Sequence, residues 1–178
     1  MRVVSGKYKR RRFDVPKGFK ARPTTDFAKE NLFNVLMGYI DFEEETPTAL
    51  DLFSGTGGIS IELVSRGCSQ VISVEKDRKH FAFIQELMSK LDAQECTPIC
   101  GDVFKYIDRC KQSFDFIFAD PPYALKNLSE IPDLIFAKNI LSEDGLFVLE
   151  HGKENAFSGH PHFLEVRQYG SVHFSIFR

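Results

Sequence analysis

Four consecutive residues, Asp120-Pro121-Pro122-Tyr123, carry the sharpest chemical signal in the chain. They follow directly on an apolar run, Phe114–Ala119, that reads as a buried strand. Two prolines hold such a loop rigid and extended. Asp120 and the carbonyl of Pro121 can then accept hydrogen bonds from one amino group, while the Tyr123 ring stacks on a flat base. That arrangement suits one task. An exocyclic amine of a nucleobase is a poor nucleophile, because its lone pair is delocalised into the ring. Two acceptors on its hydrogens favour a pyramidal nitrogen whose lone pair can point at a sulfonium methyl. Orientation and electrostatics would drive the in-line transfer, and no strong base is needed.

Three other stretches would complete a ligand site. Asp51-Leu52-Phe53-Ser54-Gly55-Thr56-Gly57-Gly58 closes another apolar run. Glycines at such a turn let the backbone approach a ligand without a Cβ clash, and the helix behind presents free N–H groups. A dinucleotide fingerprint would need glycine where Ser60 stands. Asp51, four residues before Gly55, suits a cationic amino group better than phosphate. Glu75 ends a second apolar run, 24 residues after Asp51. That is near the spacing at which an acid grips ribose hydroxyls in Rossmann-type sites. Asp102 follows a third run; it can accept from an adenine amine, cap the helix beginning at Val103, or do both.

The elements that position these residues alternate. Short apolar runs at 49–53, 71–74, 97–100, Phe114–Ala119 and 146–149 are predicted strands. Between them, 59–65, 77–91, 103–110 and 129–139 are predicted helices, the first stopping at Gly67. Uninterrupted apolar strands separated by helices imply a mostly parallel, doubly wound α/β sheet of Rossmann-like form, covered on both faces. Ligands in such sheets lie beyond the carboxyl ends of the strands, where the acids and glycines above would sit. Residues 163–167 and Val172–Phe177, around Tyr169-Gly170, are expected to close the chain as an antiparallel hairpin. Before the alternation, Ala28, Leu32, Val35, Leu36 and Tyr39 share one helical face, with Thr24, Thr25 and Asp26 as capping candidates.

Charge is unevenly spread over the 178 residues, whose net charge is only −2. Residues 1–22 carry nine basic groups against Asp14 alone, a net +8, while the remainder carries 14 basic and 24 acidic groups, a net −10. A basic hairpin or arm at 1–22 on a domain at 23–178 implies a polyanionic partner reached through the arm. Arg2, Lys7, Lys9, Arg10, Arg11, Arg12 and Arg22 are the candidates for that contact. No apolar run approaches membrane-spanning length, and the start lacks a secretory h-region. The four cysteines suit a reducing compartment. Cys96 and Cys100 lack a second ligand pair, so buried thiols fit them better than a metal site. A cytoplasmic monomer without metal is the expectation. The five histidines have no evident partners.

With these residues in place, the chain resembles the class I, amino-methylating methyltransferases marked by an (N/D)-P-P-(Y/F) loop. It is most similar to the RsmD-type guanine-N2 methyltransferases of bacterial 16S ribosomal RNA. Arg2-Val3-Val4-Ser5-Gly6-Lys7, Arg22-Pro23-Thr24-Thr25-Asp26 with Glu30 and Leu32-Phe33-Asn34, and the closing Tyr169-Gly170 carry that likeness. The resemblance implies S-adenosylmethionine as cofactor, its methionine moiety lined by Asp51, Phe53, Gly55 and Gly57. Glu75 would take the ribose, Asp102 and Val103 the adenine, and Asp120, Pro121 and Tyr123 the target amine and base. The implied partner is ribosomal RNA or the assembled small subunit. Methylation of DNA or RNA adenine N6, or of a protein glutamine amide, uses closely related loops. A nucleic-acid-binding protein that keeps the fold without catalysis is the alternative of a different class.

Overall fold

A computed structural model describes residues 1–19 and 25–178. The candidates Arg22 and Thr24 lie outside the described residues. Strands β1 (Thr48–Leu52), β2 (Gln70–Glu75), β3 (Cys96–Cys100), β4 (Phe114–Ala119) and β5 (Leu141–His151) alternate with helices. These are α2 (Gly58–Arg66), α3 (Arg78–Lys90), α4 (Val103–Arg109) and α5 (Ile131–Ala137), with α1 (Asp26–Leu36) ahead of the sheet. The chain closes on β6 (Phe163–Tyr169) and β7 (Val172–Phe177). The strand order is β3-β2-β1-β4-β5-β7-β6. β1 to β5 pair in parallel, and β7 inserts antiparallel between β5 and β6.

The continuous apolar runs exist because both faces of the sheet are covered. Ala49, Phe116 and Phe118 join the core beneath α1, α2 and α3, while Leu50, Leu52, Ile117 and Ala119 join the one beneath α4 and α5. Side chains alternate across a strand, so neither face spares a polar position in the middle. Local signals set the helix ends. The Thr25 hydroxyl accepts from the Ala28 N–H at 3.1 Å, and Asp77 caps α3 through Lys79 and His80. Gly67, at φ 117°, ends α2.

Two elements depart from the expected bounds. β5 begins at Leu141 rather than 146, because Leu141 pairs with Phe114 across a register shift that lets polar residues 142–144 ride the strand. The helix expected at 129–139 starts as a 3-10 turn, Leu128–Glu130, and becomes α-helical only at Ile131. Pro132 then occupies the first turn, the one helical position where its missing N–H costs nothing. The cysteine pair also splits: Cys96 is buried, but Cys100 is exposed at the end of β3.

The N-terminal residues form a hairpin, bridged at Arg2 and Arg12, and it is packed onto α2. Val3 is fully buried. Glu62 of α2, itself fully buried, accepts from the Val4 and Ser5 N–H groups at 2.8 and 2.9 Å. The same carboxylate pairs with Arg66 Nε at 2.9 Å and with buried Lys29 of α1 at 3.5 Å. Gly6, at φ +76°, brings the turn so close that a Cβ there would stand 1.7 Å from the Ser65 carbonyl oxygen. Hairpin, α1 and α2 are thus stitched around one buried carboxylate.

Candidate functional site

A cleft of about 1180 Å³ opens at the carboxyl ends of β1, β2, β4 and β5. It lies where the strand order reverses between β1 and β4, the crevice that open α/β sheets leave for ligands. Asp51, Phe53, Gly55, Glu75, Asp102, Val103, Asp120, Pro121 and Tyr123 all line it. Gly57 does not line it; it closes the glycine turn in the left-handed region at φ 75°, with Ile84 of α3 directly behind.

At the β1 end, Asp51 is 1% exposed and accepts a hydrogen bond from the Ser60 hydroxyl, itself 2.9 Å from Ser73. Burial pushes this carboxyl up to about 7, against the pull of the Ser60 hydrogen bond. Such a group gains most from a cation. Phe53, next but one along, holds φ 60°, a left-handed backbone uncommon outside glycine and of a kind concentrated at ligand sites. Glu75 then ties the loop down. Its Oε2 accepts from the Gly55 N–H at 2.7 Å and its Oε1 from the Asp77 N–H at 2.7 Å. Each oxygen keeps a further lone pair for a hydroxyl. His80, which had no expected role, lines the cleft with Nδ1 3.9 Å from Glu75 and its ring against Phe19.

Asp102 caps a helix and still offers an oxygen to the cleft. Oδ1 caps α4 through the Phe104 and Lys105 N–H groups at 3.1 and 3.2 Å, while Oδ2 faces Lys76 at 3.3 Å on the cleft side. Burial works to raise this carboxyl, but the Lys105 N–H and the Lys76 ammonium hold it below the usual range. Val103 beside it is buried.

The β4 end carries the Asp120–Tyr123 loop. The Asp120 N–H donates to the Leu52 carbonyl at 3.2 Å, which keeps the loop in register with β1, and the loop tightens where Leu125 N–H donates to Pro122 O at 2.8 Å. Burial, then the charges of Glu150 and Asp51, push the Asp120 carboxyl well above the usual range. Tyr123 is 44% exposed, and its hydroxyl donates to Glu150 Oε1 at 3.1 Å.

Glu150 is the residue that sequence reasoning missed. It ends the apolar run of β5 as Glu75 ends that of β2, so the same signal was present. It is 7% exposed, burial pushes its carboxyl up to about 7, and its Oε2 has no hydrogen-bond partner among the described residues. Phe27 and Tyr169 also went unforeseen; their rings meet edge to face at 6.4 Å on the rim of the cleft.

The basic candidates divide. Arg2 pairs with Asp26 at 2.9 Å and Glu30 at 2.6 Å, and Lys7 pairs with Glu95. Lys9, Arg10, Arg11 and Arg12 are exposed on the hairpin turn and its return strand. The hairpin's first residue abuts the cleft: Met1 Sδ lies 3.8 Å from the hydroxyl of cleft-lining Thr56.

The family described as "Conserved hypothetical protein 95" matches residues 1–178. A Bacillus subtilis protein named "Putative rRNA methyltransferase YlbH" is 37% identical over 161 residues, 86% of this chain and 84% of that protein. The ribosomal RNA small subunit methyltransferase D of Buchnera aphidicola is 30% identical over 84% of this chain and 75% of its own length. Among solved structures, a hypothetical protein of Thermus thermophilus superposes with a TM-score of 0.86 at 25% identity, covering 100% of this chain and 99% of that one. A structure described as "a putative methyltransferase complexed with SAH" shares the fold, with a TM-score of 0.64 at 22% identity over 84% of this chain and 49% of that one.

Proposed function

The chain belongs to the Conserved hypothetical protein 95 family, with the small-subunit ribosomal RNA methyltransferases D among its relatives, and from that premise we propose that it methylates the N2 amine of a guanine in small-subunit ribosomal RNA. The observation that carries this reading is the juxtaposition of Asp120, Pro121 and Tyr123 with the Asp51–Glu75 end of a single cleft.

The residues at that end fit S-adenosylmethionine. Asp51 offers a buried carboxylate to a cationic group, Glu75 two acceptors to ribose hydroxyls, and Asp102 Oδ2 an acceptor beside the apolar wall of Val103. When bound, the cofactor supplies an electrophilic methyl on a sulfonium. At the other end, Asp120 and the Pro121 carbonyl accept from the target amine, and Tyr123 presents an exposed ring for a base swung out of its helix or loop. Holding both N–H bonds keeps the nitrogen lone pair off the purine ring and on the line of attack. As the nitrogen took the methyl, with the C–S pair remaining on the departing thioether, Asp120 and water would take up the extra amine proton. The partner is ribosomal RNA or the assembled subunit, met in the cytoplasm by a monomer. Among the described residues no helix is long and apolar enough to cross a membrane.

The test is chromatography of nucleosides from small-subunit RNA, naked or assembled, after incubation with methyl-labelled cofactor. Label in N2-methylguanosine is expected. Label only in N6-methyladenosine would refute guanine as the base, and no label with either substrate would point to a binding protein.

A further inference from the structure

We propose that Glu150 reads the Watson–Crick edge of the target guanine, accepting hydrogen bonds from N1–H and from one N2–H, and so selects guanine over other amine-bearing bases. The inference rests on guanine being the substrate. It starts from an unpaired atom. Glu150 Oε2 is shut off from solvent and has no hydrogen-bond partner among the described residues, although the side chain lines the cleft. Leaving a buried carboxylate oxygen unpartnered is costly, and native structures rarely do so without a ligand or functional reason.

The neighbours say which ligand would complete it. Glu150 Oε1 receives the Tyr123 hydroxyl at 3.1 Å, so the carboxylate lies at the hydroxyl tip of the ring assigned to hold the base. Asp120 lines the same cleft, near enough for the charge of Glu150 to help burial push its carboxyl up. Guanine presents two adjacent donors, N1–H and N2–H, at the spacing of the two oxygens of a carboxylate. Glu150 can take both, sharing one N2–H with the Pro121 carbonyl, and leaves the second N2–H to Asp120. Adenine presents its N6 amine beside N1, a lone pair that would face the carboxylate and be repelled. No cation among the described residues contacts Glu150, so its charge is not already answered by an ion pair.

Position matters as well. Glu150 lies on β5 and Asp120 beyond β4, and these strands pair in parallel through Ala119 and Leu149. One side of the base would therefore meet two acids fixed by adjacent strands, the arrangement that holds a site geometry most tightly. Glu150 is a specificity residue here; Asp120 keeps the amine.

The experiment compares bases at one site. The methylated nucleotide is mapped with the wild-type protein, and small subunits are reconstituted with guanosine or 2-aminopurine riboside there. 2-Aminopurine keeps the N2 amine but carries a lone pair at N1. Wild type is expected to prefer guanosine by about 10²-fold or more in kcat/KM, as sites built on buried hydrogen bonds do. Glu150→Gln, whose amide can donate to N1, is expected to shrink that preference at least about tenfold while cofactor affinity stays within about twofold. Equal use of the two bases by the wild type, or an unchanged preference in the variant, would overturn the inference. The wild-type comparison decides alone should Glu150→Gln fold poorly. A product of N6-methyladenosine would instead defeat the guanine reading itself, whereas N2-methylguanosine with an unchanged preference strikes only Glu150.

Discussion

Cofactor affinity should depend on pH through one carboxyl, Asp51. In the free protein burial raises this group from 3.8 to about 7, so at pH 6 most of it is protonated and unable to pair with a cation. A bound cationic amino group or sulfonium restores the value of the charge and returns the carboxyl toward its ordinary range. Binding below pH 7 must then expel a proton. The sign follows: affinity is flat above about 7 and falls as pH drops through it, by up to tenfold, or about 1.4 kcal/mol, per unit. Between pH 8 and pH 5 the loss should reach roughly 10²-fold. Asp51→Asn should remove the slope and hold affinity near the low-pH level throughout. Titration calorimetry in two buffers of different ionisation enthalpy, at pH 6, reads the released proton directly. The same shift has a stability consequence of opposite sense. The folded free protein binds this proton more tightly than the unfolded chain, so its stability declines as pH rises from about 4 to about 7. Affinity that varies less than about twofold between pH 5.5 and 8, with no proton released at pH 6, would refute the pairing of Asp51 with a cation.

Asp120→Ala should lower kcat about 10²-fold with cofactor affinity unmoved, and Asp120→Asn should be milder, since an amide oxygen still accepts from the amine; single-turnover kinetics separates the two. Tyr123→Phe, which the sequence alone suggests is mild, should cost about 1–3 kcal/mol in kcat/KM because it strips the hydrogen bond from buried Glu150, and Tyr123→Ala should lose stacking besides. Near-wild-type turnover of the Phe variant would show that the bond is not used. Gly6→Ala should lower the urea midpoint by the equivalent of about 2 kcal/mol or more, as its Cβ meets the Ser65 carbonyl and φ is left-handed. Reversing Lys9, Arg10, Arg11 and Arg12 to Glu should flatten the salt dependence of RNA binding by roughly 3 units of log K per log salt, leaving calorimetric cofactor affinity intact; an unchanged slope would place the RNA elsewhere.

Much of this site was legible because parallel sheets put their chemistry at strand ends. Asp51, Glu75, Asp102 and Asp120 are each the first or last acid beside an apolar run, and the fold brings all four to one cleft. Glu150 obeys the same rule, but the apolar run at 146–149 stops one residue short of it and no motif around it marks a role. The packing of the hairpin onto the domain left no comparable signal. Nine basic groups in 22 residues look like a solvated arm, and composition does not show that Glu62 lies beneath Val4 and Ser5. That carboxylate sits inside an apparently ordinary amphipathic helix, and Lys29 inside another. A buried ion pair across two helices and a hairpin leaves no local pattern in sequence. Deleting the hairpin would take the Val4 and Ser5 N–H groups from Glu62 and the Arg2 carbonyl from Lys29, uncovering a buried pair and the core beneath Val3. Separating RNA binding from the catalytic body therefore requires charge substitutions, not truncation.

The acids of the cleft pose a problem for an RNA enzyme that their placement answers. Asp51, Asp120 and Glu150 all resist ionisation, and each raises the cost of charging another: Glu150 and Asp51 both act on Asp120. A phosphate brought into this cleft would meet carboxylates, an electrostatic setting that favours an uncharged base over the strand's backbone there. The exposed charges that favour phosphates, Lys9 through Arg12, stand on the hairpin. A cationic cofactor entering at the Asp51 end changes the balance within. Above about pH 7, where Asp51 is already charged, the cation offsets one of the two negative neighbours of Asp120 and eases its ionisation. That acid binds donors best when charged. With guanine as the base, the same electrostatics that let the cofactor seat itself would sharpen the grip on the base edge, and cofactor before RNA is the order to expect.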